Sequence, residues 1–135
     1  MGNNWKITDT LTKVFADEVP DGQGSIRLST LHRETVSCVI AYFGVADWGR
    51  YWKVSVKAPE KIETRLRRVE LVPSAYPCHK EQDDNYLRIV PGMYPDLLRD
   101  LDTEDDGADK KYLTKEVPGQ WRSLWLDVTV DAELA

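Results

Sequence analysis

A chain of 135 residues, 41% hydrophobic and 30% charged, has the size and composition of one globular domain rather than of a disordered or fibrous segment. A net charge of −5 argues against a nucleic-acid partner, which would need a basic footprint. No run of about 18 apolar residues occurs, so no membrane-spanning helix is expected.

The opening MGNNWKITDT lacks the apolar core of a signal peptide, and Lys6 stands where the myristoylation pattern requires Ser or Thr. Two cysteines, Cys38 and Cys78, are too few for a disulfide framework, so a cytoplasmic setting is expected. LTKVFAD (11–17) and SIRLST (25–30) are the first strand candidates, separated by the turn signal Pro20-Asp21-Gly22. His32, near a strand start, reads as structural. ETVSCVIAYF (34–43) is apolar on both faces: Val36, Cys38, Ile40 and Tyr42 lie opposite Val39, Ala41 and Phe43. That pattern predicts a strand covered on both sides. After a turn at Asp47-Trp48-Gly49, YWKVSVKAP (51–59) alternates, with Trp52, Val54, Val56 and Ala58 inward. ETRLRRVELVP (63–73) is a further strand candidate, with Arg65, Arg67 and Arg68 as a solvated face.

From about Ser74 to Lys110 the sheet pattern is lost. At its centre lies DDNYLRIVPGMYPDLL (83–98), whose Pro91-Gly92 and Tyr94-Pro95 pairs enforce turns and extended backbone. YLRIV (86–90) is a weak strand candidate, and PDLLRDLD (95–102) suits one or two helical turns with Pro95 at the first position. So long an irregular stretch in a compact domain is usually functional or interfacial. Tyr86, Arg88, Tyr94, Asp96 and Leu97 are its candidate ligand or interface residues. DTEDDGADKKYL (102–113) begins like a calcium loop, but Leu113 occupies the place of the bidentate Glu, so a solvated turn is expected. KYLTKEV (111–117) and WRSLWLDVTVD (121–131) complete the strands; the second puts Leu124, Leu126, Val128 and Val130 inward and Trp125 outward. The sum is an all-β antiparallel sandwich, immunoglobulin-like or jelly-roll-like, of seven or eight strands with one long irregular loop.

The residues offer little chemistry. There is no Gly-x-Ser-x-Gly elbow, Cys–His–acid set, paired-cysteine zinc spacing or Gly-rich phosphate loop. No acid sits in an apolar strand-end setting that would raise its pKa. No catalytic residue, metal site or cofactor is therefore predicted. Five tryptophans are many for this length. Trp52 falls in phase with the core. Trp48, Trp121 and Trp125 are candidates for aromatic surfaces that anchor an interface or stack on sugar rings.

Three segments carry a family resemblance: VELVPSAYP (69–77), DDNYLRIVPGMYPDLL (83–98) and VPGQWRSLWLDVTVDAELA (117–135). In this order, and with LHRETVSCVIAY (31–42) before them, the chain resembles the N-terminal domain of bacterial proteins related to glycoside hydrolase family 123. The likeness spans residues 9 to 131. It departs where Glu34 follows Arg33 without an intervening Gly, and where Met93 replaces Leu. The resemblance implies a β-sandwich that precedes a (β/α)8 barrel. It also implies that the acidic pair serving N-acetylhexosaminide hydrolysis belongs to that barrel. On this basis the chain is expected to be a non-catalytic accessory domain, the N-terminal piece of a longer protein packed on its barrel. The alternative is an autonomous carbohydrate-binding module using Trp48, Trp121 or Trp125.

Overall fold

The computed structural model describes residues 4–45, 51–77, 80, 87–105 and 110–130. These form eight strands and no helix: β1 (Trp5–Thr8), β2 (Thr35–Phe43), β3 (Tyr51–Ser55), β4 (Ile62–Ser74), β5 (Gly92–Asp100), β6 (Asp102–Asp105), β7 (Lys110–Lys115) and β8 (Trp121–Val130). One sheet has the order β1-β2-β8-β4-β5 and the other β3-β7-β6, with every strand pair antiparallel. The fold is the expected all-β sandwich.

The five-stranded sheet is covered on both faces. Toward the small sheet, Tyr42, Leu66 and Leu124 form a buried core, joined by Ile40 and Leu126 beside them and by Trp52, Val54 and Tyr112 from across the sandwich. The Tyr42 hydroxyl and the Thr114 hydroxyl meet at 2.8 Å across this layer, so both buried groups are satisfied. Burial pushes the Tyr42 hydroxyl pKa up. On the opposite face Val39, Ala41 and Trp121 are buried beneath Val14, with Phe43 and Trp125 packed against them. β2 serves both cores, which explains why its sequence is apolar on both sides.

The cover on that second face comes from residues 11–17, which form no strand. Asp9 Oδ1 accepts the backbone N–H groups of Leu11 and Thr12, each at 3.0 Å, and the resulting turn replaces pairing. Val14 and Phe15 are then buried consecutively rather than alternately. Residues 25–30 are likewise not a strand and lie mostly exposed. β1, which the sequence reading missed, takes the edge instead and pairs Trp5–Thr8 with Val39–Tyr42. β3 ends at Ser55, so the strand expected through 59 is shorter.

The region read as patternless holds β5 and β6, and the helical turns expected at 95–102 are absent. Gly92–Asp100 pairs with β4 as the sheet's edge. An edge strand tolerates Pro95, since one row of its N–H groups has no ladder partner. Residues 87–90 are not a strand. Of the acidic 102–113 stretch, expected to be a solvated turn, Asp102–Asp105 and the residues from Lys110 on instead pair as the antiparallel strands β6 and β7, and residues 106–109 lie outside the described residues. Cys38 is buried, and burial raises its thiol pKa; Cys78 lies outside the described residues. His32 is exposed at the turn before β2, so it has no core role.

Two junctions lock the layers. Glu116, just past β7, is only 1% exposed. Its carboxylate accepts the Val45 backbone N–H at 3.1 Å and the Trp52 indole N–H. A buried acid thus sits just past a strand end, a burial that the sequence pattern does not show. Beside it Gly44 passes so close to the next strand's approach that a Cβ would lie 1.9 Å from the Val117 carbonyl oxygen.

Candidate functional site

β5 is irregular where the candidate residues cluster. Glu70 faces Leu97 and Leu71 faces Pro95, so Asp96 is the extra residue of a β-bulge. Bulges re-aim side chains and commonly border functional surfaces. Here the bulge leaves Asp96 exposed on the rim of two adjoining depressions. One is a groove of about 530 Å³, lined by Lys13, Phe15, Val72, Leu87, Arg88, Tyr94, Pro95 and Asp96 among others. The other is a cleft of about 200 Å³ between residues 10–14 and the sheet, with Val39, Val69, Leu98, Ser123 and Trp125 in its walls. Lys13, Pro95 and Asp96 border both.

Arg88 and Tyr94 face inward. The Arg88 guanidinium carbon lies 3.7 Å from the centre of the Phe15 ring, and Tyr94 meets that ring edge-on at 5.7 Å. Arg88 also reaches Asp17 and Glu18, each at 3.0 Å. Both acids are mostly exposed, so these ion pairs contribute little, about 0–1 kcal/mol each. The stack on Phe15 is the firmer hold. The Tyr94 hydroxyl donates to the Arg88 and Val90 carbonyls. Together these contacts pin residues 87–91 onto the 15–18 segment, so Arg88 and Tyr94 are spent on the fold. What remains outward is apolar: Leu87 (72% exposed), Ile89, Val90, Met93 and Leu97.

The tryptophan candidates fare unequally. Trp121 is buried and packs on Phe43 at 5.4 Å, so it offers no surface. Its sequence position at the strand start gave no hint of this, because the cover comes from Val14, more than a hundred residues earlier. Trp125 does leave the inter-sheet core, as its phase predicts, but it enters the second core as a half-buried wall. Its indole N–H donates to Asp127 at 2.8 Å. Trp48 and Tyr86 lie outside the described residues.

Asp127 gathers further partners: the Ser37 hydroxyl and, at 2.6 Å, Arg67. Burial alone would push its pKa up, but the hydrogen bonds from Ser37, Trp125 and Arg67 and the Arg67 charge hold it below the usual value. The three arginines are therefore not one solvated face. Arg67 is half-buried on Asp127, Arg68 pairs with Glu70 toward the other face, and Arg65 alone is well exposed, 3.1 Å from Asp100. Among the described residues no three His, Cys, Asp or Glu side chains converge as metal ligands.

No family model and no curated protein matches this chain. The arrangement itself supplies two usable features: an exposed apolar edge along β5 and the loop before it, and the pair of depressions beneath the bulge.

Proposed function

We propose that this chain is a non-catalytic accessory domain that packs on a larger catalytic body through the edge strand β5. On the resemblance given above, that body is a (β/α)8 barrel following in the same polypeptide and acting on N-acetylhexosaminides. One observation carries the reading. Leu87, Ile89, Val90, Met93 and Leu97 are all at least 47% exposed on one strand and its adjoining loop. Exposed apolar groups gathered on an edge strand and its adjoining loop are a usual mark of an interface. Its backbone is already held by Phe15, Arg88 and Tyr94, so little ordering is needed on association.

Limited proteolysis of the parent protein tests this. Met93→Asp with Leu97→Asp is expected to release an intact sandwich, because both side chains are exposed and neither supports the fold. An unchanged digestion pattern would sink the reading. The alternative, an autonomous sugar-binding module on exposed tryptophans, loses Trp121 to the core.

A further inference from the structure

On the side of β5 that faces the small sheet, three arginines share one carboxylate. Arg68 of β4 and Arg99 of β5 stand directly opposite each other in the strand register. Like charges so placed on neighbouring strands repel. Two steps along the ladder, and therefore on the same face, Glu70 stands opposite Leu97. Glu70 Oε1 accepts the Arg68 Nε–H at 2.8 Å and lies 4.0 Å from Arg99 Nε. Among the described residues it is the only carboxylate that either arginine meets.

Arg122 brings a third guanidinium to this face. It lies on β8 in phase with Leu124, which stands opposite Arg68. Its Nη2 donates to the Gln120 side-chain oxygen at 2.9 Å, a neutral partner, and its Nε is buried with no partner at all. Burial pulls the Arg122 pKa below its usual value; Tyr42 and Glu70 oppose this only in part, and the Arg68 charge adds to it. A cation withdrawn from water without a bonded counter-charge is costly. The cluster is thus an uncompensated positive region on a chain whose net charge is −5. It borders the exposed apolar edge at Leu97. Arg99 is 63% exposed, so water would screen a free anion there. A carboxylate carried in on an apolar surface over Leu97 excludes that water, and its attraction to the arginines is stronger for it.

We propose that the body packed on β5 presents an aspartate or glutamate side chain to this cluster, so that a carboxylate on Arg99 and Arg68 flanks the apolar contact over Leu97. Arg122, held away from water, adds to the field without a direct bond. The inference rests on docking through β5 and specifies the partner surface as acidic, rather than basic or wholly apolar.

Protection of Met93 from hydroxyl radicals in the native gene product, relative to the 135-residue chain, reads the docking. Arg99→Glu should cut that protection about tenfold, because it sets a like charge against the incoming carboxylate. Arg65→Glu is the matched control: Arg65 is 61% exposed and on the opposite face of β4, and its reversal should leave Met93 protected as in the wild type. Arg122→Met should also weaken protection, yet the 135-residue chain carrying it should melt no lower than wild type, since an apolar side chain replaces a buried charge that has no bonded counter-charge. If Arg122→Met lowers the melting midpoint, Arg99→Glu and its control decide the matter by themselves. Unchanged or increased protection in Arg99→Glu, or an equal loss in Arg65→Glu, overturns the acidic partner and leaves docking standing. Equal labelling of Met93 in the wild-type native product and the chain removes docking, and this inference with it.

Discussion

Glu116 illustrates how much rests on single contacts. A carboxylate removed from water is tolerated only when donors surround it. Trp52→Phe keeps most of the ring and deletes one of those donors. We expect a loss of about 1–3 kcal/mol, read as a lower urea midpoint. Gly44→Ala should cost a similar ~1–3 kcal/mol, because a Cβ would collide with the Val117 carbonyl. Gly24→Ala, which meets nothing within 4 Å, should be near neutral and serves as the control. Asp127 adds a pH signature. Its folded pKa is depressed, so its contribution is full above its unfolded value and fades as pH falls through the folded one. Asp127→Asn should therefore lower stability at pH 7, and the gap to wild type should narrow below about pH 4. None of these roles was legible locally. Lys115-Glu116-Val117-Pro118 looks like a solvated strand end, and its burial depends on Trp52, far back in the chain.

At the scale of elements, legibility followed regularity. β3, β4, β7 and β8 carry period-two patterns and β2 an unbroken apolar run, and all five lie within a few residues of their sequence-based placement, β3 only over its first half. β5 was not. Its alternation is broken by the bulge at Asp96, and Pro95 mimics a helix start. The 11–17 segment misled in the opposite way: its Leu11, Val14 and Phe15 suggested a strand, while the Asp9 turn made it a cover. The candidate site was half legible for the same reason. The segment holding Arg88, Tyr94, Asp96 and Leu97 was singled out, but its partners Lys13, Phe15 and Ser123 come from elements that only the fold brings near. The contacts separate two classes of β5 variants. Tyr94→Ala strips the edge-on contact with Phe15 and should lower stability by roughly 1–3 kcal/mol, with early protease cleavage near residues 87–91. Leu97→Lys changes a side chain that is 47% exposed and makes no specific contact, and should shift stability less than Tyr94→Ala does, by about 0.5 kcal/mol in a denaturation series.

For the molecule as a whole, the sandwich is asymmetric in what covers it. One face of the large sheet lies under the three-stranded sheet, the other under a loop strap, and the β5 edge keeps its apolar groups outward. The leucine, isoleucine, valine and methionine side chains left outward along β5 and its loop are the surface that the proposed docking would cover. Hydroxyl-radical footprinting of the native gene product against the 135-residue chain reads this directly. Met93 and Leu97 should be labelled in the chain and protected in the native product, while Leu11, 87% exposed and outside β5, should be labelled equally in both. Equal labelling of Met93 and Leu97 in the two samples would contradict it.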